Sequence, residues 1–254
     1  MPKVSVVLPV YNCERYLREA LESVLNQSFM DFETVVVDDG SDDGSGSIIS
    51  EYRGLSAFTV VTHKQNMGIC RSLNDGIEKS TGEYIAIQHA DDVSLPDRLA
   101  KQVRYLDAHP GTGLVAGLIQ YVDKKGKKKK DDWWLKKIRE VEDDPGIIRD
   151  TLLEQNIIPH PTVMFRKRIT ETTGLYDPDA FPTEDYDYWL RISEQHNIGL
   201  IHDVLCLYRR HRKQLTKTER MQRIREKTVE AVQRARKRRG IAGGAERPWP
   251  VGKP

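Results

Sequence analysis

The sequence predicts an α/β fold, with a mostly parallel central sheet flanked by helices. Three observations carry this expectation. The N-terminal third alternates β-branched runs with apolar stripes at helical spacing, the chain of 254 residues suits one large domain of this kind or two small ones, and 38% hydrophobic residues can fill a core.

The elements follow in order. Strand-like runs lie at 3–8, 33–37, 58–62 and 84–88. Between the first two, Leu17, Ala20, Leu21, Val24 and Leu25 share one helical face, with Asn12 placed to cap the helix start. Ile69, Leu73 and Ile77 form a second stripe, which stops at Thr81-Gly82. Pro96 suits the first turn of a helix carrying Leu99, Val103 and Leu106. Further strands are expected at 114–122, 161–165, 198–201 and 204–208, with a helix over 186–194. Residues 217–239 read as a basic helix with a thin apolar stripe of Met221, Ile224, Val232 and Ala235, and 243–254 as a disordered Gly/Pro-rich end.

Charge divides the chain where hydropathy does not. The net charge of +2 hides 24 basic and 34 acidic residues over 1–208, against 14 basic and 3 acidic over 209–240. Wholesale disorder is excluded by the apolar content, and no apolar run approaches the roughly 18–20 residues that cross a bilayer. The sequence opens on a strand-like run without a secretory leader, and Cys13, Cys70 and Cys206 lack the spacing of a disulfide framework or a zinc site. Together these features read as an intracellular chain.

In a sheet of this type, ligands bind beyond the carboxyl ends of the strands. Three polar clusters fall there: Pro9-Val10-Tyr11-Asn12, Asp38-Asp39-Gly40-Ser41 and His89-Ala90-Asp91-Asp92. Asp38 and Asp39 could accept bonds from a base or a ribose, or serve only in a turn before a helix start at Ser41-Asp42-Asp43. His89, Asp91 and Asp92 offer ligands to a hard divalent cation such as Mn²⁺ or Mg²⁺, which would relieve the repulsion of adjacent carboxylates. Asn66-Met67-Gly68 leads into a helix bearing Arg71, whose guanidinium can grip a diphosphate in bidentate fashion or lie on an ordinary polar face. Acidic and aromatic residues interleave over 183–189, compatible with a general base beside a sugar-binding wall or with a helix N-terminus. His211 could ligate a metal or be structural. The six lysines of 124–130 read as a solvated hairpin tip in preference to a phosphate or lipid contact.

The order of motifs, VSVVLPVYN at 4–12, VVVDDGSDD at 35–43, NMGICRSLNDGI at 66–77, GEYIAIQHADD at 82–92 and TEDYDYWLR at 183–191, closely resembles family 2 glycosyltransferases. The resemblance implies a GT-A fold with a Rossmann-like sheet: a catalytic domain over 1–211, divided into a nucleotide-sugar half at 1–92 and an acceptor half at 93–211; the basic helical tail at 212–254, with its disordered end, lies outside the resemblance. It implies nucleotide contacts from Pro9, Tyr11, Asp39, Asn66, Gly68, Arg71 and Asp91, with Asp91 also the main ligand of a divalent metal, Mn²⁺ or Mg²⁺. His211 and His89 would join the metal, His89 standing where the family commonly has an acid. Asp185 would be the catalytic base, with Glu184, Trp189 and His160 on the acceptor side.

The implied activity is inverting transfer of a sugar from a nucleoside-diphosphate sugar to a hydroxyl of a saccharide or lipid-linked acceptor, in polysaccharide, glycolipid or glycan assembly. A nucleotidyltransferase of similar fold is the enzymatic rival, but Pro9-Val10-Tyr11-Asn12 is no Gly-rich phosphate loop. A nucleic-acid-binding protein is the rival from another class, and the acidic body and the lack of aromatic residues over 209–240 speak against it. The basic segment 209–239 fits an anionic membrane, a solvated helix or an oligomer contact. The expected location is cytoplasmic, with the inner face of the plasma membrane as a peripheral site.

Overall fold

The computed structural model describes residues 1–211 and 221–241. At its centre β1 (Val4–Val10) is buried along its whole length, because parallel neighbours flank it and helices cover both faces. Its side chains alternate between the two layers. Val4, Val6 and Leu8 face the layer that holds Leu17, Leu21 and Val24 of α1 (Glu14–Leu25), whereas Val7 faces Leu73 and Ile77 of α3 (Ile69–Lys79). β2 (Phe32–Asp38), α2 (Ser45–Ser50), β3 (Phe58–Thr62) and β4 (Tyr84–Ile87) complete the expected alternation.

Beyond it come β5 (Val93–Ser94), α4 (Arg98–Ala108), β6 (Thr112–Asp123), α5 (Trp133–Glu140), α6 (Pro145–Thr151), β7 (Met164–Arg166), α7 (Thr170–Thr173), α8 (Glu184–Gln195), β8 (Asn197–Arg210) and α9 (Met221–Arg238). The strands form one sheet in the order β3-β2-β1-β4-β7-β6-β8-β5. β3, β2, β1 and β4 are parallel to one another, as are β6 and β8, while β7 is antiparallel to both its neighbours and β5 to β8. Inserting one reversed strand restores the direction, so β1, β2, β4, β6 and β8 all end on the same side.

Several local expectations change. Asn12 does not cap α1: its side chain accepts the Asp42 N–H at 3.0 Å, tying the loop after β1 to the loop after β2. α2 begins at Ser45, since Asp43 accepts the Ser45 N–H. The run at 161–165 divides into a 3-10 turn at His160–Thr162 and β7, because Pro161 has no N–H to give a ladder. The runs at 198–201 and 204–208 are one strand, β8; the polar His202-Asp203 pair between them sits at a register shift against Gly117 and Leu118 of β6. α5 and α6 were not expected. Asp132 and Asp144 cap them by accepting the Leu135 and Ile147 N–H groups.

α9 is no free appendage. It buries Ala231, Val232 and Ala235 in the core layer of α8, while Met221 and Ile224 are only half-buried. Arg238 pairs with Glu194 at 2.7 Å, and Arg234 lies 3.5 Å from both Asp177 and Asp187. The expected helical start at 217–220 and disordered end at 243–254 lie outside the described residues. Among the described residues, no helix is long and apolar enough to cross a membrane, and all three cysteines are free.

Candidate active site

The sheet delivers the three polar clusters to one end. At the end of β1, Pro9 is buried and Tyr11 is 46% exposed. At the end of β2, Asp39 is buried and already engaged by protein donors. Its carboxylate accepts the Met67 N–H at 2.8 Å and the Gly68 N–H at 2.9 Å, and lies 2.7 Å from His63 Nδ1. The other ring nitrogen of His63 is 2.9 Å from Asp75, which accepts the Nε–H of Arg71 at 2.9 Å.

One chain of contacts therefore links Asp39 to Arg71. The Asn66 side chain adds a bond from Gly68 N–H at 3.0 Å. Gly40 is required here: its φ is +69°, and a Cβ would stand 2.6 Å from the Gln65 carbonyl carbon. Asp38 takes a turn role, accepting the Ser41 N–H.

The turn after β4 holds His89, Asp91 and Asp92, whose potential ligand atoms lie within 4.8 Å of one another. Buried Arg98 braces it from behind, donating to the Ile87 carbonyl, the Gln88 side chain and Ser94. Asp91 is 2.8 Å from His211 Nε2. Asp92 accepts the Arg209 N–H through Oδ1, whereas its buried Oδ2 has no hydrogen bond and sits 3.4 Å from His89 Nδ1.

Burial pushes Asp92 up to about 6, against the pull of His89. For Asp91, burial acts upward but is overcome by His211 and His89, which hold the carboxyl below the usual range. For His89, burial disfavours the charge, yet Asp92, Asp91 and Asp185 raise its pKa. His89, Asp91 and Asp92, with one buried Asp92 oxygen lacking a hydrogen bond, are a donor set that could hold a divalent cation.

The acid pair opens α8. Asp185 accepts the Tyr186 N–H at 2.6 Å and the Asn156 side-chain N–H at 3.3 Å. Burial raises its pKa, moderated by those two bonds and by the charge of His89. Glu184 is buried, its Oε2 lacks a partner, and burial together with Asp185 raises it to about 7. A carboxylate with a raised pKa, held by one backbone and one amide donor, is suited to taking a proton.

Two acceptor-side expectations need correction. Trp189 is 0% exposed, its ring stacked edge-on against His160 among Tyr176 and Tyr188, so it cannot touch an acceptor. His160 is buried between His89, at 3.3 Å, and the Tyr176 hydroxyl, at 3.0 Å, and so backs the metal-like cluster instead of facing outward. Burial drives the His160 pKa well down, with His89 and Arg98 adding to the effect. Sequence reasoning missed His63, Asp75, Asn156, Arg98 and Arg209. Only Arg209 carried a local signal, its place two residues before His211.

The eight-stranded sheet with these clusters at its carboxyl edge matches the GT-A architecture of solved glycosyltransferase structures. Residues 5–174 match the family model of glycosyl transferase family 2, and the chain belongs to that family of glycosyltransferases. An uncharacterized glycosyltransferase of Methanocaldococcus jannaschii is 30% identical over 212 residues, covering 82% of this chain and 71% of its own length. The putative glycosyltransferase EpsE of Bacillus subtilis is 34% identical over 201 residues, with 76% and 68% covered. The amylovoran biosynthesis glycosyltransferase AmsE of Erwinia amylovora is 31% identical over 209 residues, with 81% and 75% covered.

Solved structures share the fold, among them the following two. S. aureus TarS 1-349 in complex with UDP-GlcNAc superposes with a TM-score of 0.67 at 19% identity, over 90% of this chain and 66% of that one. The mannosyltransferase PcManGT of Pyrobaculum calidifontis, in complex with GDP-Man and Mn²⁺, gives 0.67 at 22% identity, over 97% and 66%. This chain thus spans about two thirds of either structure.

Proposed function

We propose that this chain is a metal-dependent, inverting glycosyltransferase that moves a sugar from a nucleoside-diphosphate sugar to an acceptor hydroxyl in polysaccharide, glycolipid or glycan assembly. The observation that carries this reading is Asp185, raised in pKa and braced by Asn156, at electrostatic range of the His89, Asp91 and Asp92 cluster. The relative named for amylovoran biosynthesis supports the assembly role, and the complexes with UDP-GlcNAc and GDP-Man support the donor class.

Tyr11 would stack on the base, with Pro9 beneath it, and Asp39 would present the loop of Asn66, Met67 and Gly68 to the nucleotide. Arg71 would meet the diphosphate. Asp91, His211 and His89 would hold the metal, which when bound would supply positive charge to offset that on the leaving diphosphate. Asp185 takes the acceptor hydroxyl proton as the oxygen bonds to the anomeric carbon and the bond from that carbon to the diphosphate breaks. Such a base is worth ~10²–10⁴-fold in rate.

Asp185→Asn tests the assignment. The variant is expected to bind donor with unchanged affinity and to lose transfer. Turnover near the parent rate with the same anomeric product would remove Asp185 as the base. A thermal-shift screen of nucleoside diphosphates, with and without Mn²⁺, would identify the base and test the metal together.

A further inference from the structure

We propose that the turn at residues 124–130 and the adjoining face of α5 form a docking surface for an anionic lipid bilayer. The turn is ordered: Asp123 Oδ1 accepts the Lys125 and Lys127 N–H groups, and the Lys129 N–H donates to the Tyr121 carbonyl. All of its residues are exposed.

The neighbouring carboxylates are spent elsewhere. Asp131 pairs with Arg139, Asp132 with Arg210, and Asp123 with its own backbone donors and Lys129. Lys124, Lys125, Lys127, Lys128 and Lys130 have no side-chain partner among the described residues, and exposed Lys136 and Lys137 follow on α5. Trp133, 41% exposed, stands at the start of that helix. Unneutralised lysines beside an exposed indole match the headgroup region of an anionic bilayer, where lysine meets phosphate and tryptophan the acyl boundary.

The position is specific. β6 ends at Asp123, opposite Arg210 in the parallel register, and the next residue, His211, reaches Asp91. On the other flank, Trp134 donates to the Asn156 carbonyl, and the Asn156 side chain holds Asp185. A bilayer on this surface therefore lies against the rim of the site, as a membrane-held acceptor would require; that consequence, unlike the docking, rests on the proposed function. The sequence placed attachment in the tail; within α9, Arg234 and Arg238 pair with acids of the body.

The test is co-sedimentation of the full chain with vesicles of phosphatidylcholine alone or mixed with phosphatidylglycerol. Binding is expected only to the mixed vesicles and is expected to fall with salt. Each lysine removed should weaken it about fivefold, so K124Q/K125Q/K127Q/K128Q should weaken it several hundredfold. Trp133→Ala should reduce it while leaving its charge dependence intact. Unchanged thermal unfolding and an unchanged stabilisation by nucleoside diphosphate would show these variants folded and their donor side intact, which separates this proposal from the transferase reading. Absence of charge-dependent binding, or equal binding by the lysine variant, overturns the proposal. So does a preference for single-stranded DNA with no vesicle binding.

Discussion

His63→Ala tests whether the base and diphosphate sides of the site are mechanically joined. The imidazole is 10% exposed and lies 2.7 Å from Asp39 and 2.9 Å from Asp75, which are 5% and 16% exposed. Hydrogen bonds to charged groups contribute about 1.5–3 kcal/mol each. Asp39 keeps its bonds from Met67 and Gly68, and Asp75 keeps Arg71, so neither carboxylate is wholly orphaned. Water entering the vacated space returns part of the loss. The expected cost in stability is ~2–3 kcal/mol, a fall in Tm of about 5–10 °C for a chain of this size.

The functional signature is sharper than the thermal one. With Arg71 no longer held through Asp75 to the Asp39 loop, donor KM should rise about tenfold, ~1.4 kcal/mol, while kcat at saturating donor stays near the parent value. His63→Gln, whose amide can donate to one of the two carboxylates, should recover part of the KM. Initial rates over a donor series at fixed acceptor supply both constants. A lower Tm with unchanged donor KM would refute the coupling and leave His63 a packing residue.

Other outcomes follow from the acid pair and the cluster. Glu184 has its folded pKa raised to about 7, from 4.5, so its contribution to stability is fully present below about pH 4.5 and is lost as pH rises through 7. Glu184→Gln should therefore be the more stable form above pH 7, by about 3 kcal/mol, and indistinguishable from the parent in acid, as read by urea melts across pH. Asn156→Ala removes a donor that lowers the Asp185 pKa, so the acid limb of the kcat profile should move to higher pH. Chelation should abolish transfer, Mn²⁺ should restore it, and His211→Ala should need more Mn²⁺ for the same rate. Gly40→Ala should destabilise the chain by more than 1 kcal/mol, because a positive φ and the Gln65 backbone both oppose a Cβ; a thermal melt reads it.

The parallel half of the fold was legible because β1, β2, β3 and β4 and the stripes of α1 and α3 each report burial in their own periodicity. α5 and α6 were not, since each is short and its apolar positions are few among charges. The strand break expected at His202-Asp203 failed for a related reason. A bulge places polar residues inside a continuous strand, and alternation alone reads them as a loop. Trp189 was misplaced because an aromatic beside an acid pair looks the same in sequence whether it lines a cleft or, as here, fills the core beneath one.

By itself the sequence determined the alternating strands and helices, the three polar clusters at strand ends, the family and the acidic pair that opens α8. These are local properties: each depends on the order and spacing of neighbouring residues. Only the tertiary structure decided the partnerships, because they join side chains distant along the chain. His211 reaches Asp91 across 120 positions and Asn156 reaches Asp185 across 29, while His63 bridges two acids that lie on separate elements. The tertiary structure also decided the partners of particular charges: it pairs Arg234 and Arg238 of α9 with acids of the body, whereas Lys124, Lys125, Lys127, Lys128 and Lys130 have no side-chain partner among the described residues, since a charge is neutralised by what the fold brings near it.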